Sequence, residues 1–141
     1  MNPITLKQKL PPHFWACTYN GKHHPQAVGV QGLKGGANCQ QFANEVLRFY
    51  GLRPLDLRSS ELWEDNQHYT TIMDINALQP LDVLLWNDTA QAYGAHVGLY
   101  VGAGQALHLS KANNTPKLEA LSLLSIQPEY QIWIGAKRLK G

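Results

Sequence analysis

The run His96-Val97-Gly98-Leu99-Tyr100-Val101-Gly102-Ala103-Gly104-Gln105-Ala106-Leu107-His108-Leu109-Ser110 decides the fold of this chain. Val97, Leu99 and Val101 alternate with His96, Gly98 and Tyr100, and Leu107 and Leu109 alternate with His108. That period of two belongs to strands with one aliphatic face and one different face. Between the halves, Gly102-Ala103-Gly104 suits a short hairpin loop with a left-handed position. A three-residue loop there sets Val101 opposite Gln105, Gly98 opposite His108 and His96 opposite Ser110. The two histidines then share a face as diagonal neighbours, roughly 7–8 Å apart at Cβ. Gly98 leaves room for their rings to meet.

Outward from the hairpin, residues 83–86 and 132–139 also read as strands, and Leu78-Gln79-Pro80 breaks the chain before them. Upstream the period changes. Phe42, Ala43, Val46, Leu47, Phe49 and Tyr50 recur at helical spacing, which predicts a helix over residues 39–50 with Asn38 as N-cap and Gly51 as C-terminal cap. Gly29, Gly32, Gly35 and Gly36 make the approach to it a loop. After a connector over residues 52–57, Ser59 or Ser60 is placed to cap a second helix running to about His68, with Glu61, Glu64 and Asp65 near its start. Helices first and an antiparallel sheet second make the fold class α+β.

The chain has 141 residues, of which 44% are hydrophobic and 16% charged. That is the size and composition of one domain, read as spanning residues 1–141. A net charge of +2 gives no indication of nucleic-acid binding. No run of 18 apolar residues is present, so membrane insertion is not expected. The first ten residues lack a signal-peptide apolar core, which points to a cytoplasmic origin, to export by a signal-independent route, or to prior trimming. Trp15, Trp63, Trp86 and Trp133 lie in or beside apolar segments and are read as core. The sequence leaves the oligomeric state open.

Cys17 and Cys39 are the two cysteines, both taken as thiols. Cys39 stands where a glycine-rich loop meets a helix N-terminus, where unpaired N–H groups and the helix dipole favour a thiolate. The same N–H groups can face the oxygen of a tetrahedral intermediate. By position alone, a small buried residue that merely begins a helix is an equal reading. Cys39 with His96 and His108 offers three candidate zinc ligands, but no Cys-x-x-Cys or His-x-x-x-His spacing supports a metal, and His23-His24 lies in a stretch without strand or helix signals. A cysteine and histidine relay, in which one imidazole takes the thiol proton and a second polar group orients it, uses every feature noted and needs no cofactor.

Four segments taken in order, Asn38-Cys39-Gln40-Gln41-Phe42, Leu78-Gln79-Pro80-Leu81-Asp82-Val83-Leu84, His96-Val97-Gly98-Leu99-Tyr100-Val101-Gly102 and Gln105-Ala106-Leu107-His108-Leu109-Ser110, resemble the successive motifs of the NlpC/P60 superfamily of papain-like cysteine peptidases. The likeness covers about residues 36–110. It implies a papain-like fold with N-terminal helices packed on an antiparallel sheet, Cys39 as nucleophile, His96 as general base and His108 as the polar residue that orients it. It also implies bacterial cell-wall degradation by hydrolysis of the γ-D-glutamyl to diamino-acid bond in peptidoglycan stem peptides, without a metal. Asn38 and Gln40 flank the nucleophile on the substrate side, and Tyr19 matches a family tyrosine that shapes the site. Two departures stand out. The family's Asp-Cys-Ser-Gly-Phe reads Asn38-Cys39-Gln40-Gln41-Phe42 here, and its Pro-Gly-Asp reads Pro80-Leu81-Asp82. Amidase, deamidase or acyltransferase action on another substrate, and a non-catalytic binding domain, remain the alternatives.

Overall fold

A computed structural model describes residues 1–30 and 32–141 and orders them as α1 (Pro3–Lys9), α2 (Pro12–Trp15), α3 (Cys39–Phe49), α4 (Ser59–Glu64), β1 (Tyr69–Ile72), β2 (Val83–Asn87), β3 (His96–Tyr100), β4 (Gln105–Leu109), β5 (Pro116–Ala120), α5 (Leu121–Leu124) and β6 (Ile132–Leu139). Short 3₁₀ turns occupy Ile75–Ala77 and Pro128–Tyr130. The six strands form one antiparallel sheet in the order β1-β6-β2-β3-β4-β5. This is the α+β arrangement the hydrophobic pattern implies. No helix among the described residues is long and apolar enough to cross a membrane.

Alternation in the strands builds two cores. Val83, Leu85, Val97, Leu99, Leu107 and Leu109 face α3, where Phe42, Val46 and Leu47 complete the larger cluster. Leu84, Trp86, Ala106 and Ala136 face the other way and are covered by Leu124 and Tyr130. Trp86 is buried, while Trp15, Trp63 and Trp133 are part-buried and pack on one cluster or the other. The hairpin has the register read from its loop, with Leu99 facing Leu107 and Val101 N–H donating to Gln105 O at 3.0 Å. Gly102, Ala103 and Gly104 all have positive φ.

Several elements differ from the sequence reading. The second helix ends at Glu64, four residues before His68, because the Asp65 carboxylate accepts the N–H groups of Gln67 and His68 and turns the chain. Its N-cap is Arg58 and not a serine, and Glu61 Oε1 accepts the Arg58 N–H at 3.0 Å. Strand β1 follows at once. Strand β5 also escaped the pattern, since it starts on a proline and carries Lys117 and Glu119 about a single leucine, the composition of a sheet edge. Helices α1 and α2 occupy a stretch to which the sequence reading assigns no element, and at seven and four residues they are too short to show a period.

The turn before β2 is built around a buried charge. Asp82, 1% exposed, accepts from Arg138 Nε and Nη2 at 2.7 Å each and from Gln79 N–H at 2.8 Å. Leu81 beside it has φ 76, in the left-handed region where a Cβ is strained. It stands where the resembling motif carries glycine, and its side chain packs on the larger core. Truncating that side chain costs packing in either case, but glycine also removes the strain. Leu81→Gly is therefore expected to be more stable than Leu81→Ala by about 1 kcal/mol, the reverse of the usual order. Urea unfolding midpoints of the two variants check this, and an alanine variant equal to or more stable than the glycine variant contradicts it.

Candidate active site

Cys39 is the first residue of α3 and lies part-buried on a cleft of about 560 Å³. The capping pattern explains what its sulfur meets. Asn38 Oδ1 takes the Gln41 N–H and Asn38 O takes the Phe42 N–H, so the N–H groups of Cys39 and Gln40 are not consumed by the cap. Both face the Cys39 sulfur, together with the N–H of Val97 from β3. The helix terminus thus meets the sheet at the residue that follows His96.

The glycine-rich loop makes this junction by close approach. Gly36 has φ 94, and a Cβ there would lie 2.5 Å from Thr18 O. Ala37 N–H donates to Thr18 O and Asn20 N–H to Ala37 O, a parallel bridge that sets Tyr19 beside the loop. Tyr19, twenty residues upstream in sequence, therefore lines the same cleft as Cys39. His23 holds the loop from its other side, with Nδ1 3.1 Å from Gly36 O and its carbonyl accepting Asn38 N–H at 3.0 Å.

The two histidines meet. His96 Nε2 lies 2.9 Å from His108 Nδ1, and His108 Nε2 lies 3.0 Å from Glu119 Oε1 on β5. Glu119 Oε2 in turn accepts from Gln127 Nε2 at 2.7 Å. Gly98 is what permits the approach, since a Cβ on it would sit 3.1 Å from both His108 Cβ and Trp86 Cζ3. The His96 ring stacks on Tyr130 at 4.6 Å between centroids and on Trp86 at 5.9 Å. With Nε2 engaged by His108, Nδ1 is the nitrogen His96 keeps for a reaction partner.

The sequence reading places Cys39, Asn38, Gln40 and Tyr19 on one cleft and His96 and His108 in one hydrogen-bonded pair, and the structure brings each set together. Two of the substrate-side side chains have other engagements. Asn38 caps α3, and Gln40, 4% exposed, donates its Nε2 to Leu57 O. Gln41 likewise is buried and donates to Gly32 O. What Gln40 offers beside the sulfur is its backbone N–H. The reading lacked Glu119, Gln127 and Tyr130, all of which lie after Ser110. It also lacked Arg58, which lines the cleft and lowers the Cys39 pKa by its charge.

Burial dominates the electrostatics. It pushes the Cys39 thiol up, against the N–H groups of Val97, Gln40 and Cys39 and the charge of Arg58. It pushes His96 down to about 3, with His108 adding to the effect. His108 is also lowered by burial, which outweighs the opposing hydrogen bond and charge of Glu119. These shifts favour a neutral thiol and neutral imidazoles, against the thiolate expected from the helix terminus alone. The terminus acts in the expected direction, but desolvation is larger.

Comparison with solved structures identifies the fold. NlpC1 from Trichomonas vaginalis matches with a TM-score of 0.62 at 18% identity, over 87% of this chain and 39% of that one. NlpC2 from the same organism matches with a TM-score of 0.62 at 18% identity, over 96% of this chain and 44% of that one. The NlpC/P60 domain of the peptidoglycan hydrolase SagA matches with a TM-score of 0.56 at 16% identity, over 92% of each chain. This chain has the papain-like fold of NlpC/P60 domains. It spans less than half the length of the two Trichomonas proteins. No protein-family model matches it, and no curated protein matches its sequence.

The two thiols are expected to differ in reactivity. Cys17 is 5% exposed and burial raises its pKa to about 11, whereas Cys39 opens on the cleft. Iodoacetamide should label Cys39 well before Cys17 at pH 7.5. Because its folded pKa lies above the ordinary value, the rate at Cys39 should climb about tenfold per pH unit through the neutral range. Peptide mapping of partly alkylated samples reads both. Preferential labelling of Cys17, or a Cys39 rate flat between pH 5 and 8, contradicts this account.

Proposed function

We propose that this protein is a cysteine hydrolase that cleaves a peptide or amide bond through an acyl-enzyme on Cys39. The observation that carries the reading is the histidine pair, whose first member immediately precedes the residue whose N–H faces the Cys39 sulfur. His96 Nδ1 removes the thiol proton as the sulfur attacks the scissile carbonyl carbon, so that charge separates only as the reaction proceeds. The oxyanion develops beside the N–H groups of Cys39 and Gln40 at the start of α3. Collapse breaks the bond to nitrogen, the His96 imidazolium gives its proton to the leaving amine, and water then hydrolyses the thioester with His96 as base. Tyr19 and Arg58 form walls of the cleft that receives the acyl portion. Residues 1–141 act as one catalytic unit.

For substrate, we infer the γ-D-glutamyl to diamino-acid bond of peptidoglycan stem peptides. Support comes from the ordered motifs and from the fold shared with the SagA domain, which belongs to a peptidoglycan hydrolase. Incubation with purified L-Ala-γ-D-Glu-diaminopimelate-D-Ala should release L-Ala-D-Glu, an activity lost in Cys39→Ala and unchanged by a metal chelator. If several stem peptides stay intact while a generic acyl donor forms a thioester on Cys39, the activity belongs to another amide substrate or acceptor. If no donor acylates Cys39, the fold serves recognition only.

The histidines should differ in kind. His96→Ala is expected to abolish turnover because it removes the proton carrier. His108→Ala should lower kcat by roughly 10²–10⁴, by analogy with loss of an orienting carboxylate. His108→Gln should recover part of that, since its oxygen can still accept from the ring N–H. Steady-state rates with folding checked by circular dichroism decide it, and a His108→Ala protein as active as the parent removes His108 from the site.

A further inference from the structure

We propose that Glu119 is the positioning residue that sets which nitrogen carries the proton in both histidines of the site. The inference rests on the reading of Cys39 as nucleophile and His96 as its base. Its basis is the unbroken line of hydrogen-bond distances from His96 Nε2 to His108 Nδ1 at 2.9 Å, and from His108 Nε2 to Glu119 Oε1 at 3.0 Å.

A carboxylate only accepts hydrogen bonds. Facing Glu119 Oε1, His108 Nε2 must therefore carry a hydrogen. A neutral imidazole has one N–H, so His108 Nδ1 is then a bare acceptor. His96 Nε2 at 2.9 Å must in turn be the donor, which leaves the His96 lone pair on Nδ1. That is the form required of a base for Cys39. The opposite assignment would put the His96 proton on Nδ1 and leave the ring unable to accept the thiol proton. One carboxylate two hydrogen bonds away from the base thus selects the reactive form.

The surroundings hold Glu119 in this role. Its side chain is 10% exposed, and its second oxygen receives Gln127 Nε2 at 2.7 Å. The Gln127 amide group also points at Leu123 O, 3.4 Å away, which fixes its NH₂ end toward α5 and Glu119. Lys117 Nζ stands 3.9 Å from Glu119 Oε1 with its side chain half exposed. His108 itself is 1% exposed, so no bulk water competes for its Nε2. Strand β5 pairs with β4 so that Lys117 faces His108 and Glu119 faces Ala106. Glu119 therefore reaches His108 diagonally across the strand pair, as long side chains can.

Glu119→Gln is the informative variant because it keeps size and hydrogen-bonding capacity while removing the obligation to accept. Gln127 donates toward position 119, so the new amide oxygen is drawn to Gln127 and the new NH₂ turns to His108. His108 Nε2 must then accept, its proton moves to Nδ1, and His96 is driven into the unreactive form.

The test has two readouts. Nitrogen-15 NMR of the imidazoles should show His108 protonated at Nε2 and His96 at Nε2 in the parent, and both assignments inverted or mixed in Glu119→Gln. Steady-state kinetics on a substrate the parent turns over should show kcat lowered about 10²-fold, with KM changed less than twofold, since the wrong imidazole form costs about 10⁴ when it acts directly on the base. In a His108→Ala background no group connects position 119 to His96, and Glu119→Gln should then change the residual kcat less than twofold. The proposal is overturned if the imidazole assignments in Glu119→Gln match the parent, if its kcat stays within twofold of the parent, or if it costs as much in the His108→Ala background. The NMR arm needs no substrate, so it decides the role of Glu119 even if the protein proves not to be a hydrolase.

Discussion

The hydrogen bond between His96 Nε2 and His108 Nδ1 is the constraint on which the site depends. Two imidazoles on adjacent strands reach 2.9 Å only in one register, and the three-residue loop 102–104 sets that register. A slip of β4 by one residue would turn His108 to the face of α3, beside Val97 and Leu99, and turn Leu107 away from it. Gly98 is part of the same constraint, because any Cβ there presses on His108 and Trp86. Tyr130, stacked on His96 from outside the hairpin, covers this face of the sheet, where His108 is buried and His96 part-buried.

Partial withdrawal from water has an electrostatic consequence. A thiolate and an imidazolium are each disfavoured by desolvation, and Cys39 and His96 shift in the directions that favour the neutral forms. The linkage follows in sign. Unfolded His96 takes its proton near pH 6.5, whereas folded His96 takes it only near 3. The unfolded state then binds more protons between these values, so this residue lowers stability progressively as pH falls through that window, with a slope of up to about 1.4 kcal/mol per unit. In the proposed mechanism the ion pair is created by the reacting substrate, with the N–H groups at the start of α3 already in place for the oxyanion. Holding those dipoles fixed in advance is what makes a neutral resting site compatible with catalysis.

Much of this was legible in the sequence because it is carried by periodicity and local caps. The helix from Cys39, its Asn38 cap, the hairpin register and the meeting of His96 with His108 all follow from residues close in sequence. What was not legible depends on pairing between distant segments. Tyr19, named in the sequence only through the family resemblance, reaches the cleft through a backbone bridge to Ala37, and no side-chain pattern announces such a bridge. Glu119 lies on an edge strand headed by Pro116 to which the sequence reading assigns no element, and its partner Gln127 is on a loop. Gln40 reads as a residue facing substrate, yet tertiary packing turns its amide to the Leu57 carbonyl, as it turns that of Gln41 to the Gly32 carbonyl. The balance between dipole and burial at Cys39 was also out of reach, since desolvation is a property of the assembled fold.

The most direct test of this arrangement is a nitrogen-15 NMR titration of the His96 and His108 imidazoles in the unmodified protein from pH 8 to 4. The account expects His96 to remain neutral across most of that range and His108 to take its proton below the ordinary imidazole value, with His96 holding its proton on Nε2 and leaving Nδ1 bare. Protonation of His96 near pH 6.5, or a proton resident on its Nδ1 at neutral pH, would contradict it.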